Sequence, residues 1–140
     1  MVLRIEWSSK LSVNSEEIDN QHKKLFSVIN KLVTFKKQKA ESDVVLEVLK
    51  ELIDYSDKHS KAEDIYMSKN NYPLPLFKVH LGEHAAYFGK IEKFVEGYGK
   101  GSETLTDEIL KFLAGWWVDH VSESDMKYAL YVRQLKSKQK

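Results

Sequence analysis

The chain carries five histidines and no cysteine. Imidazole and carboxylate are therefore its strongest ligands, and thiolate catalysis, disulfides, zinc ribbons and cysteine-held iron–sulfur clusters are excluded. Three spacings bring these groups together. His59 and Glu63 are four residues apart and project from one helix face, one turn apart. His80 and His84 share that spacing and can chelate a single ion. His120 and Asp125 are five apart, a rotation of about 140° in an α-helix. Reaching a common site then requires a bend, a π-bulge or a long reach by the carboxylate.

All five histidines stand where a helical seam wants leucine. The positions Ile18, His22, Leu25, Ile29 and Leu32 advance by 4, 3, 4 and 3 residues, the step of a bundle seam. His59, the pair His80 and His84, and His120 interrupt three further seams in the same way. An imidazole buried in an apolar seam loses its hydration and needs a partner. A single one is ordinarily a hydrogen-bonded core residue, but five of five over four helices point to a metal. Five imidazoles and two carboxylates exceed the roughly four to six ligands one ion takes. They suit two ions bridged by the carboxylates, and without thiolate the choice is iron, manganese or zinc.

Three rival metal chemistries fit less well. Ferritin-like di-iron sites need Glu-x-x-His on two helices, whereas Asp19, Ser56, Phe77, Leu81 and Trp117 precede the five histidines by three. His80-Leu-Gly-Glu-His84 matches the H-x-x-E-H pattern of inverted zinc peptidases, but leaves three histidines idle. Glu83 is read instead as a surface residue. A haem would use one or two axial ligands and leave most of the set unexplained.

The order His22, His59-x-x-x-Glu63, His80-x-x-x-His84, His120-x-x-x-x-Asp125 resembles the hemerythrin family, in particular its single-domain bacterial members. The resemblance extends through Ile18-Asp-Asn-Gln-His22, Glu63-Asp-x-x-Met67, Tyr72-Pro73 and Trp116-x-x-x-His120, ending at Tyr128. It implies two iron ions. His80, His84 and His120 would hold one, and His22 and His59 the other. Glu63 and Asp125 would bridge them, together with an oxo or hydroxo group. The two-histidine iron would keep an open position for O2. Two ferrous ions, two carboxylates and one hydroxide leave a charge near neutral, tolerable in an apolar bundle. The chain departs from the family at Ser60, where phenylalanine is usual, and at Trp117, where leucine is usual. Both belong by resemblance to the O2 pocket.

Four amphipathic helices must position these groups. Asn14-Ser-Glu-Glu17 reads as a capping box opening a helix over about 15–38. A second helix is expected from Ser42 or Asp43 to about Asn70, ended by Asn70-Asn-Tyr-Pro-Leu-Pro75. A third is expected over 76–98, stopped by Gly97, Gly99 and Gly101. Thr104-Leu-Thr-Asp107 reads as a second capping box, before a fourth helix that runs, bent, to about Leu135. The expected fold is all-α: an antiparallel up-down-up-down four-helix bundle over 14–137. An extended N-terminal arm over 1–13 carries Trp7, Leu11 and Val13 as packing anchors, and the whole of 1–140 reads as one domain.

Composition narrows the partners. With 22 Lys+Arg against 21 Asp+Glu the net charge is +1, which gives no long-range field to gather nucleic acid or a membrane surface. Only 2 prolines and 6 glycines argue against a loop-rich β fold. No apolar run long enough to span a bilayer occurs, the first residues are not a signal peptide, and a cytoplasmic protein is expected. The function implied by the resemblance is reversible O2 binding for transport, storage or delivery. The alternatives are an O2 or redox sensor acting through a partner, and a di-iron enzyme acting on peroxide or nitric oxide. Oxygen binding rather than catalysis is the favoured reading.

Overall fold

The computed structural model describes residues 4–138; the first three residues of the expected arm, and 139–140, lie outside them. The described chain is an all-α antiparallel four-helix bundle with an N-terminal arm. Its helices are α1 (Glu16–Gln38), α2 (Ser42–Lys69), α3 (Leu74–Gly99) and α4 (Asp107–Asp119). A π-helical segment, His120–Asp125, continues α4 into α5 (Met126–Lys138), so the fourth rod of the bundle has three parts. The connections 39–41, 70–73 and 100–106 are short and force successive helices to run antiparallel. Helix α1 packs on α2 and α4, and α2 packs on α3.

Two apolar clusters occupy the interior. The larger joins Leu25, Ile29 and Leu32 of α1 to Leu49, Leu52, Ile91, Leu110, Leu113 and Trp117. The smaller, at the other end, joins Val13, Ile18, Met67, Tyr72, Tyr128 and Ala129. Along every helix the candidate ligands fall between the two. His22 lies between Ile18 and Leu25, and His59 and Glu63 between Leu52 and Met67. His80 and His84 lie between Tyr72 and Tyr87, and His120 and Asp125 between Trp117 and Tyr128. A polar layer is thereby closed at both ends by packed hydrocarbon, which keeps water out and lowers the local dielectric.

The helix caps differ from expectation. Ser15, not Asn14, caps α1, its Oγ accepting from the Ile18 N–H at 3.3 Å. Asn14 sits at φ 60°, a left-handed turn that asparagine tolerates, so its side chain cannot serve the helix. Asp19 fixes this entry by accepting from Ser12 Oγ (2.6 Å) and the Val13 N–H (2.9 Å). Thr106 rather than Thr104 caps α4, accepting from the Ile109 N–H at 3.3 Å.

The ends of α3 also shift. It begins at Leu74, two residues early, because Pro75 falls in the first turn, where the missing N–H has no helical partner to lose. It ends at Gly99, with Gly97 inside the helix. The Ser102 and Glu103 N–H groups fold back onto Gly97 O, and a Cβ at position 97 would lie 2.5 Å from Glu103 Cγ. Only Gly101, at φ 80°, uses glycine's left-handed freedom.

The arm is anchored. Val13 is buried, and Trp7 and Leu11 are partly buried against the larger core. It is not extended throughout, since Ser9–Leu11 form one 3-10 turn. Asn30 holds the arm by exchanging two hydrogen bonds with the Ile5 backbone, at 2.8 and 2.7 Å. Among the described residues no helix is long and apolar enough to cross a membrane.

Candidate metal centre

All seven predicted site residues meet in the polar layer, and all are buried. The five imidazoles enter through Nε2. His22 Nε2 lies 3.1 Å from His59 Nε2 and 2.9 Å from Asp125 Oδ2. His84 Nε2 lies 2.9 Å from His120 Nε2, which is 3.1 Å from Asp125 Oδ1. His80 Nε2 lies 3.2 Å from Asp125 Oδ1 and 3.6 Å from Glu63 Oε2. Glu63 Oε1 lies 2.7 Å from His59 Nε2 and 3.5 Å from His84 Nε2. The atoms divide into two groups, Glu63 with His80, His84 and His120, and Glu63 and Asp125 with His22 and His59. Within each, the ligand atoms lie within 4.8 Å of one another.

The π-helical segment is what admits Asp125. Its wider turn brings a residue five positions on back over His120. Of the three ways to join His120 and Asp125, the bundle uses the π-bulge.

The donor set is incomplete without a cation. Neither oxygen of Glu63 or Asp125 has a hydrogen-bond partner, although both carboxylates are fully buried. The His59 tautomer sharpens the point. Its Nδ1 is 2.7 Å from Gln21 Oε1, an acceptor, so Nδ1 carries the proton and donates it. The neutral ring then turns the Nε2 lone pair toward Glu63 Oε1, lone pair against lone pair, an arrangement a positive ion resolves.

Protons only partly replace such an ion. Burial opposes charge on His80, but the pull of the adjacent Asp125 and Glu63 carboxylates outweighs it and holds that imidazole up to about 10. His22 is also raised, Asp125 overcoming the effect of burial. His59 is lowered, because there burial overcomes the pull of Glu63. Burial disfavours ionised Glu63 and Asp125, yet the surrounding imidazoles hold both below the usual carboxylate range.

Three outer contacts were not legible as such in the sequence. Gln21, buried beside His22, orients His59; its one signal is a polar residue on the flank of an apolar seam. Glu83 is not a plain surface residue. Both its oxygens accept from Ser124 Oγ, at 2.7 and 2.8 Å, and its Oε2 lies 3.7 Å from His120 Nδ1. It thus ties α3 to the π-helical segment, away from both ligand groups, which does not suit a peptidase base. Trp116 stacks on His120 with centroids 4.5 Å apart and planes at 12°.

The two pocket candidates differ in kind. Trp117 is 1% exposed, its ring 5.7 Å from His59, and its indole N–H has no hydrogen-bond partner. Ser60, on α2 next to His59, is buried. It makes no bond of the kind that Ser56 makes to Leu52 O at 2.6 Å.

Comparison with known proteins agrees with this geometry. Residues 13–131 match the family described as the hemerythrin HHE cation binding domain. A hemerythrin-like protein of Naegleria gruberi is 32% identical over 122 residues, covering 87% of this chain and 88% of its own. A bacteriohemerythrin of Clostridium acetobutylicum is 28% identical over 126 residues, covering 87% of this chain and 96% of its own. The crystal structure of wild-type hemerythrin superposes with a TM-score of 0.82 at 26% identity, over 89% of this chain and 95% of that one. A bundle of this topology, closed around a buried histidine–carboxylate cluster, therefore belongs to the hemerythrin family.

Proposed function

We propose that the chain holds two iron ions and binds O2 reversibly. In this reading His80, His84 and His120 hold one iron, and His22 and His59 the other. Glu63 and Asp125 would be shared between the two, together with a solvent-derived oxo or hydroxo group. The observation that carries the reading is the placement of the carboxylates: Asp125 faces His22 through Oδ2, and His80 and His120 through Oδ1. Glu63 likewise faces His59 and His84 through Oε1, and His80 through Oε2. Counting both carboxylates and the solvent bridge, the three-histidine ion reaches about six ligands and the two-histidine ion one fewer. O2 would be received on the His22 and His59 side, which offers fewer ligands, and a ferrous pair would supply the two electrons that reversible O2 binding draws on.

The protein's own part is positioning and exclusion. Gln21 fixes the His59 ring by accepting a hydrogen bond from its Nδ1–H, and Glu83 with Ser124 braces the segment that carries His120 and Asp125. Trp117 fills the space against His59 and keeps bulk water away. Ser60 gives the neighbourhood a hydroxyl where the resemblance expects phenylalanine. Transport, storage or delivery all follow from such a site, in a cytoplasmic protein. The test is an optical spectrum of the anaerobically iron-loaded protein before and after O2. A new absorption that vanishes when O2 is removed supports the reading. Direct, irreversible conversion to the diferric spectrum contradicts it and favours an enzyme or sensor.

A further inference from the structure

Four of the chain's seven tyrosines gather at the smaller-cluster end of the bundle, next to the metal centre. The Tyr128 ring lies 5.7 Å from the His80 ring. Tyr72 meets Tyr128 edge-on at 6.4 Å, and Tyr131 meets Tyr72 edge-on at 5.5 Å. Tyr66 flanks Tyr128 at 5.5 Å. Tyr128 and Tyr72 are buried, whereas Tyr131 reaches the surface, its hydroxyl donating to Asn71 O at 3.0 Å. Oxidisable rings thus stand in van der Waals succession from a candidate ligand to solvent. The Tyr128 hydroxyl is buried beside the Glu63 carboxylate of the centre, so the phenol extends the ladder to a second candidate ligand.

We propose that this ladder discharges oxidising equivalents from the centre to the surface when the protein meets hydrogen peroxide without another electron donor. The proposal rests on the di-iron reading above. A phenol gives up an electron only to a strong oxidant, so the ladder is idle during O2 binding and conducts after peroxide. Electrons move inward from Tyr131 through Tyr72 and Tyr128, and the radical comes to rest on Tyr131. In each of two chains one peroxide takes two electrons and two protons, its O–O bond breaks, and two waters form. One electron and one phenolic proton come from Tyr131, the second electron from the iron pair and the second proton from solvent. The two radicals then join through a carbon–carbon bond between their ring positions next to oxygen, and the displaced ring hydrogens restore the two hydroxyls. The product is a dityrosine-linked dimer.

Trp116 is the competing sink, since it stacks on His120 and is partly exposed. The experiment treats iron-loaded protein with hydrogen peroxide and reads rapid-freeze electron paramagnetic resonance, dityrosine fluorescence and peptide maps. The parent should give a tyrosyl radical and the linked dimer, and metal-free protein neither. Tyr131→Phe should lose the dimer. Tyr72→Phe and Tyr128→Phe, which leave Tyr131 in place, should lower its yield. Tyr98→Phe should leave it unchanged, because Tyr98 lies about 21 Å along α3 from His84. Dimer yields equal to the parent in both Tyr72→Phe and Tyr128→Phe, or oxidation confined to Trp116, would overturn the ladder. Iron content measured on the same samples separates the two ideas: fewer than two irons in the parent contradicts the centre, whereas two irons with an unchanged yield contradicts the ladder.

Discussion

His120 Nε2 and Asp125 Oδ1 lie 3.1 Å apart although five residues separate them in the chain. The π-helical turn between them makes that contact possible. Such turns are rare and occur mostly as single-turn bulges at functional sites. Here the bound metal is expected to hold the turn in place. Removing iron with a strong chelator should speed amide hydrogen exchange across 120–126 and lower the melting temperature, because binding energy at the centre is folding energy. Helix α1 around Leu25–Leu32, packed in the larger core, should change far less. Equal exchange with and without iron in 120–126 would show that the segment is held by packing alone.

A second expectation concerns Gln21 and the His59 tautomer. Gln21→Leu removes the acceptor 2.7 Å from His59 Nδ1 and frees the ring to turn or change tautomer. Loss of such an outer partner weakens metal binding by about 10–100-fold. Competition against a calibrated chelator should show this loss, and Gln21→Glu, which keeps an acceptor, should largely restore affinity. Affinity unchanged in Gln21→Leu would mean that the ring is held by its packing.

A surface glutamate, as the sequence marks Glu83, is ordinarily replaced at little cost. Its contacts with Ser124 and His120 change that expectation. Glu83→Gln and Ser124→Ala should each weaken iron retention, near the lower end of the range for outer partners, about tenfold, since the Glu83 side chain is still 40% exposed. Retention of iron on gel filtration measures it. A peptidase activity lost in Glu83→Gln with metal still bound would favour the inverted zinc-peptidase chemistry instead.

The seams carried much of this information in advance. Five histidines at leucine positions located the polar layer on all four helices, since seam position alone decides which side chains meet inside a bundle. The π-bulge was one of three routes that the five-residue spacing allowed, and only the backbone selects among them. The caps moved by one or two residues because side-chain capping follows the local turn, such as the left-handed Asn14, rather than residue type. Gln21 with His59, and Glu83 with Ser124, join positions 38 and 41 apart. Their pairing depends on helix rotation that no local pattern encodes.

The pocket residues yield a further expectation. Ser60 offers a hydroxyl that can hold water or supply a proton, so the oxygenated form should oxidise faster than it would with phenylalanine there. Ser60→Phe should lengthen its lifetime, at a stability cost of about 1–3 kcal/mol where the ring overpacks. Trp117→Leu should shorten it by opening space against His59. Optical decay at fixed pH measures all three proteins. Identical rates would mean that neither side chain reaches the bound gas, and a shorter lifetime in Ser60→Phe would mean that the serine protects it.

Glu63 faces His59, His80 and His84, and Asp125 faces His22, His80 and His120, so each carboxylate is expected to be shared between two ions rather than given to one. Elemental analysis of the iron-to-chain ratio, after anaerobic loading and removal of loosely held metal, addresses it most directly. Two irons per chain are predicted, falling below two in His80→Ala. A ratio of one in the parent protein, or a ratio of two that persists in His80→Ala, would contradict the shared centre.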